Sequence, residues 1–463
     1  MPADPAKEKP VASGSFRVDT DRAVEVLRAR QLDISASRLA LWVRAAVLRQ
    51  ATHADFSWSS TLLNIRFDGL PLSAAEIQSP LAGLLDEQAS SPAARWLALA
   101  VLHSVGPNAV LTLESGPVRA RRAVRVDAEG YGPARPALSL RPDTVARISW
   151  PLPVFHEHPA THPSHWSPCE LNASIRGCPV RLKLSRGEER AEHAPVAIGK
   201  RELLRAEVRR DPARFLISLS GGEPSMSVQL ALHGVAAGSS VSFPSALPVS
   251  VWADDPRLSL NASLSEVVQD AAREAALAAA KEEALRWAFS LLERQKRVLS
   301  VTGQLLASNP SMRARWVRAL GMPRLMEGKL PASWHQYRLE SGPAGRSPDA
   351  HRVDECAQST LLLRDAARRA LTDRRKDGSD PLKAALWKTP LFLDDCGGTL
   401  SLADLPEDPK KLAFWTRFEP VVARGHDDGR VWALSPRDSL FLRVRFPRRM
   451  SPPDDQQTRQ GPL

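Results

Sequence analysis

The stretch LLNIRFDGLPLSAAEI, residues 62–77, decides how the first part of this chain is read. Leu63, Ile65 and Phe67 fall on one face of an extended segment, the period-two pattern of a strand with one buried side. Gly69-Leu70-Pro71 then supplies a turn, and SAAEIQSPLAGLLDEQ reads as helical or loop-like.

Working outward, two helices precede this strand. DTDRAVEVLRARQL opens at Asp19 or Thr20 and carries Ala23, Val24, Val26, Leu27 and Leu32 as its apolar face. SASRLALWVRAAVLRQA is more apolar and is capped by Ser35 or Ser37. Downstream, SPAARWLALAVLHSVG forms a third apolar helix closed by Gly106-Pro107. NAVLTLESG, AVRVDAE and VARISWPLP then alternate as strands. The order of helices and strands predicts an α/β sandwich with helices on one sheet face.

Residues 1–14, rich in Pro, Ala and Lys, read as a disordered lead, and residues 15–154 as the first domain. FHEHPATHPSHWSP, residues 155–168, is a Pro/His-rich loop expected to divide it from a second α/β domain over 169–335. There VRLKLS, ARFLISLS, MSVQLALHG and VSVWAD read as strands. A long Ala-rich helix follows from about Ser263 to Val298, with Ser263 and Glu266 as its capping box. Residues 340–351 read as a linker, 352–446 as a small C-terminal α/β unit and 447–463 as a disordered tail.

The ordering of residues 16–150 resembles the GHKL superfamily, which includes gyrase B, the heat-shock-90 chaperones, histidine kinases and MutL proteins. FDGLPLSAAEI resembles the family's D-x-G-x-G turn, with Gly69 as the first glycine and Ser73 and Glu76 where the next helix starts. PCELNASIRGCPVRLKLSRG resembles the start of the second domain in chaperone and MutL members. VSVWADDPRLSLNASLSEVVQDA looks like that domain's last strand and crossover helix. The likeness covers roughly residues 16–300.

What the resemblance implies about chemistry is negative. The family's first helix carries a Glu that activates water and, four residues on, an Asn that holds magnesium. Here those positions fall on Leu41 and Ala45, neither of which offers a base or an oxygen ligand. Phe67 takes the place of the Asp that reads adenine, and Pro71 replaces the second glycine. A one-residue shift puts Asp68 in the Asp role and misplaces Gly69. The glycines that close over phosphates are absent from AARWLALA, where Trp96 stands. The positions therefore read as core, in a pseudo-ATPase that needs no cofactor. The alternative is a divergent chaperone-like enzyme using ATP and magnesium through Asp68 and Glu76.

Composition bounds the remaining possibilities. The 463 residues carry 63 Lys+Arg against 52 Asp+Glu, a net charge of +11, so a nucleic-acid binder is a third possibility. Arg443, Arg445, Arg448 and Arg449 are candidate phosphate contacts, although an edge strand guarded by charge explains them equally well. His156, His158, His162, His165 and Cys169, with Cys178, form a dense set of metal-capable side chains. Their spacing matches no zinc motif and prolines interrupt it, so a solvated linker is the plainer reading. The four cysteines make no C-x-x-C pair, and no run of about 18 apolar residues occurs. The expectation is a non-enzymatic protein-binding scaffold in a bacterial cytoplasm, without a membrane span.

Overall fold

Helix α1 (Ser35–Leu48) is built from the apolar run SASRLALWVRAAVL, and it stops without a glycine. Gln50 takes a left-handed φ of 58°, the Gln50 N–H reaches the Val47 carbonyl and the Ala51 N–H the Ala46 carbonyl, each at 3.0 Å. Those two bonds make a Schellman end with Gln in the position that Gly usually fills. Strand β1 (His53–Trp58) begins directly afterwards. The sequence reading ends the helix at Ala51 and assigns no strand to residues 53–58.

The computed structural model describes residues 35–84, 91–105, 109–137, 142–150, 167–196, 203–220, 223–261, 264–309, 311–312, 315–316, 348–372, 380–393, 398–404, 412–414, 422–425 and 431–433. They fall in two units. One is drawn from residues 1–195, 233–235 and 262–265, the other from 196–232, 236–261 and 266–463.

In the first unit β1 forms a hairpin with β2 (Leu62–Phe67), pairing Phe56 with Ile65 and Ala54 with Phe67. Helices α2 (Ala74–Gln78) and α3 (Pro92–Ser104) follow. Ser73 and Glu76, read from the sequence as the start of the next helix, form the capping box that opens α2, and Ser91 caps α3 with a proline in its first turn. Then come β3 (Val110–Ser115), β4 (Arg122–Asp127), the short β5 (Gly130–Tyr131) and β6 (Arg135–Pro136), and β7 (Thr144–Ser149). Helix α4 (Pro168–Ser174) leads to β8 (Arg181–Arg186) and β9 (Glu189–His193).

These strands make one sheet in the order β5-β4-β3-β7-β2-β1-β8-β9, with β6 beside β4. Burial alternates along β1, β2 and β3, so Phe56, Ile65, Phe67, Leu111 and Leu113 face a core shared with Leu41, Trp42 and Leu97 of the helices. Each such side chain taken from water contributes about 1.5–3 kcal/mol.

The division expected at 155–168 falls elsewhere. VRLKLS is not the first strand of a second domain: β8 pairs parallel to β1, His53 opposite Arg181 and Phe56 opposite Leu184. The first unit therefore continues to residue 195. Leu182 and Leu184 are buried, and β8 lies between β1 and β9 in the sheet of the first unit.

The second unit holds β10 (Arg205–Arg210), β11 (Ala213–Leu219), β12 (Ser225–Leu232), β13 (Val235–Ala236, divided between the units), β14 (Val241–Pro244) and β15 (Val249–Asp254). The sheet order is β10-β11-β15-β12-β13, with β14 beside β12 and β12 parallel to β15. Helix α5 (Ala271–Ser308) packs across β11, β12 and β15 through Ala276, Ala280, Ala284 and Leu291.

Its start corrects the sequence reading. The cap is Asp270, whose side chain accepts the Arg273 N–H at 2.9 Å. Glu266 instead gives its backbone N–H to Asn261 Oδ1, within a stretch held by a bridge between Leu260 and Val267. Helix α6 (Pro348–Thr372) begins inside the expected linker, opened by its proline. Gln295 of α5, fully buried, donates to Thr360 Oγ1 at 2.8 Å and accepts from Ser359 Oγ at 2.7 Å, which sets the register of α5 against α6.

Helix α7 (Pro381–Lys388), the pair β16 (Pro390–Leu393) and β17 (Thr399–Ser401), and the three-stranded β18 (Leu412–Phe414), β19 (Val422–Gly425) and β20 (Val431–Ala433) complete the C-terminal α/β part. The helix read at 19–32, the lead, most of the 155–168 loop, the segment DSLFLRVRF and the tail lie outside the described residues. Among the described residues, no helix is long and apolar enough to cross a membrane.

Candidate functional site

The residues singled out from the sequence separate into three places. Leu41 and Ala45 lie on the inward face of α1 and are 0% exposed. Between them Trp42, equally buried, donates its indole N–H to Ser104 Oγ on α3 at 2.9 Å, and Ser104 in turn donates to the Ala100 carbonyl. Phe67, the last residue of β2, is buried between Ala54 and Thr144 of the neighbouring strands. At the positions that the resemblance assigns to a catalytic base and a magnesium ligand, the chain thus presents hydrocarbon facing hydrocarbon. These side chains do not fit a magnesium–ATP group, because a hard cation needs oxygen donors.

The second place is the loop after β2. The Asp68 carboxylate accepts the Thr52 N–H at 2.8 Å, the His53 N–H at 2.8 Å and the Thr52 hydroxyl at 2.5 Å. Partial burial opposes its charge, but these bonds outweigh it and hold the carboxyl below its ordinary range. Gly69 follows with φ of +98°, and a Cβ there would sit 2.4 Å from the Arg49 carbonyl oxygen. That carbonyl accepts the Leu70 N–H at 2.8 Å. Only glycine allows both the left-handed turn and this close approach.

Arg49 completes the clasp. Its guanidinium donates to the Pro71 carbonyl and forms a short ion pair with Glu76. Glu76 also accepts the Ser73 N–H at 2.8 Å, and its carboxyl is lowered despite partial burial, by Arg49 and Ser73. Behind the loop, the Leu72 N–H reaches Ser115 Oγ at 3.0 Å, and Ser115 bonds Thr144 Oγ1 at 2.7 Å. Asp68, Gly69, Pro71 and Glu76 are thereby brought together and fastened to the end of α1.

The third place is Trp96 on α3. The Arg44 guanidinium lies 4.9 Å from the centre of its ring, and His233 meets it edge-on at 6.0 Å. Burial, with the nearby Arg44 charge, pushes the His233 imidazole down to about 4, so the ring is neutral at pH 7. Arg49, Thr52 and His233 escaped the sequence reading. Their partners lie 16 or more residues away along the chain, and nothing in local spacing couples them.

Of the metal candidates, His156, His158, His162 and His165 lie outside the described residues, while Cys169 is exposed on α4 and Cys178 is buried. Among the described residues, no group of three or more His, Cys, Asp or Glu side chains is placed to hold a metal. Arg443, Arg445, Arg448 and Arg449 also lie outside the described residues.

No protein-family model matches the sequence, and no curated protein matches it. Solved structures similar to it include the B subunit of the DNA gyrase from Myxococcus xanthus, at 10% identity over 57% of this chain and 95% of that one, with a TM-score of 0.40. The 43K ATPase domain of Thermus thermophilus gyrase B, in complex with an aminocoumarin, matches at 10% identity over 55% of this chain and 86% of that one, with a TM-score of 0.37. At these identities and TM-scores neither likeness assigns a family or a role to this chain.

Proposed function

We propose that this chain is a non-catalytic pseudo-ATPase, a protein-interaction scaffold of the bacterial cytoplasm. The observation that carries the proposal is the commitment of two carboxylates. An ATP-using protein would draw on Asp68 and Glu76, and here both are bound by the chain's own donors at Thr52, His53, Ser73 and Arg49. Freeing either would break the clasp that joins the β2 loop to α1. The burial of Leu41 and Ala45 supports the same reading, since nucleotide chemistry has no group to work with there. What the fold then offers is surface.

The proposal is tested by thermal unfolding of the purified protein with ATP and magnesium. A ligand that binds the folded state must raise its stability. The expected result is an unchanged transition at millimolar nucleotide. A rise that scales with ATP concentration, together with phosphate release, would sink the proposal in favour of the divergent ATPase.

A further inference from the structure

A buried guanidinium normally spends its N–H donors on carboxylates or carbonyls. Arg121, which immediately precedes β4, does not. Its side chain is 0% exposed, yet neither Nε nor Nη1 has a hydrogen-bond partner. Nη2 reaches only the Glu114 carbonyl, at 3.5 Å. Nε lies 3.9 Å from Glu114 Oε2, beyond hydrogen-bond reach.

The acids nearby are already engaged. Glu114 holds Arg147 at 2.5 Å, and Asp143 is paired with Arg66. Arg121 thus shares Glu114 with Arg147, and its Nε and Nη1 donors stay unspent. Buried donors in that condition call for an acceptor.

The local chain suits an anion. GPVRARRAVRV, residues 116–126, contains four arginines and no acid, and Arg119 and Arg122 are exposed on either side of Arg121. Gly116, at φ of +114°, folds the connection back tightly, for a Cβ there would lie 3.1 Å from the Ala120 carbonyl oxygen and 3.3 Å from Arg121 Cα. The turn fixes Arg121 in place, and residues 117–120 beside it are exposed.

We propose that Arg121 is the seat of a small-oxyanion site, in which a phosphate or carboxylate group accepts from its unspent donors, with the exposed 117–120 turn as the way in. Unspent N–H donors on a guanidinium are suited to either group. The site involves none of the residues in the clasp around Asp68 and stands independently of the proposed function.

Thermal unfolding with inorganic phosphate, with acetate and with chloride at matched ionic strength tests this in the full chain. Phosphate or acetate is expected to raise the transition above the chloride control in a saturable way, and the anion giving the larger rise identifies the group preferred. Arg121→Met is expected to weaken that effect by about tenfold or more. If Arg121→Met fails to fold, Glu114→Gln serves instead. It removes the competing carboxylate and is expected to move the phosphate or acetate midpoint to lower concentration. No rise above chloride in the unmodified protein, an equal rise in Arg121→Met, or a weaker rise in Glu114→Gln would each overturn the proposal.

Discussion

Asp68 accepts both the backbone N–H of Thr52, at 2.8 Å, and its hydroxyl, at 2.5 Å, so the residue that ends the β1–β2 hairpin is fastened to the residue that begins it. The carboxylate thereby acts as a structural bracket. Asp68→Asn keeps the shape but turns half of the acceptor into a donor facing donors. Chemical denaturation is expected to show a loss of about 1–3 kcal/mol. An unchanged midpoint would show that the bracket does not bear on stability.

The pH dependence of stability follows from the same groups. Asp68 and Glu76 both have folded-state values below their ordinary 3.8 and 4.5. A depressed carboxyl stabilises the fold fully above its unfolded value, and that stability is lost as pH falls through the folded one. Unfolding free energy is expected to decline as pH drops below about 5. Asp68→Asn and Glu76→Gln are each expected to flatten that decline. Denaturant titrations at several pH values would measure it, and slopes equal to that of the unmodified protein would contradict the assignment.

Gly69→Ala places a methyl group 2.4 Å from the Arg49 carbonyl oxygen, on a backbone at φ of +98°. Strain of this kind costs about 1–3 kcal/mol before the clash is counted. The expected outcome is a lower midpoint of denaturation than Asp68→Asn gives. Equal or higher stability would mean that the loop is not seated against α1 as described.

Leu41→Glu restores, in identity, the carboxylate that the family resemblance places on this helix. Because position 41 is 0% exposed, the new group has no water and faces the apolar core. A destabilisation of about 3 kcal/mol or more is expected, with no gain of nucleotide binding. A stable Leu41→Glu protein that binds ATP would show that position 41 borders a usable pocket.

The extent to which the sequence discloses this molecule varies with how local the signal is. α3 is legible because Ser91, Pro92 and the apolar run around Leu97 and Val101 all lie within a few turns. The alternation of Leu63, Ile65 and Phe67 discloses β2 for the same reason. β1 is hidden because Gln50, not a glycine, takes the left-handed position that ends α1. The α5 start is misplaced because Ser263 and Glu266 imitate a cap that Asp270 supplies. At the candidate site, the apolar identity of Leu41 and Ala45 is plain from the sequence. The Arg49–Glu76 pair and the Thr52–Asp68 bracket are not, since both depend on two segments meeting after the hairpin closes.

On the proposed reading, the loop from Asp68 to Pro71 is committed to the fold and Leu41 and Ala45 to core. Titration calorimetry of the purified protein with ATP and magnesium tests it most directly. The expected result is no saturable heat up to millimolar nucleotide, in the unmodified protein and in Asp68→Asn alike. A saturable isotherm with one site per chain, accompanied by magnesium-dependent phosphate release and abolished by Asp68→Asn, would contradict it.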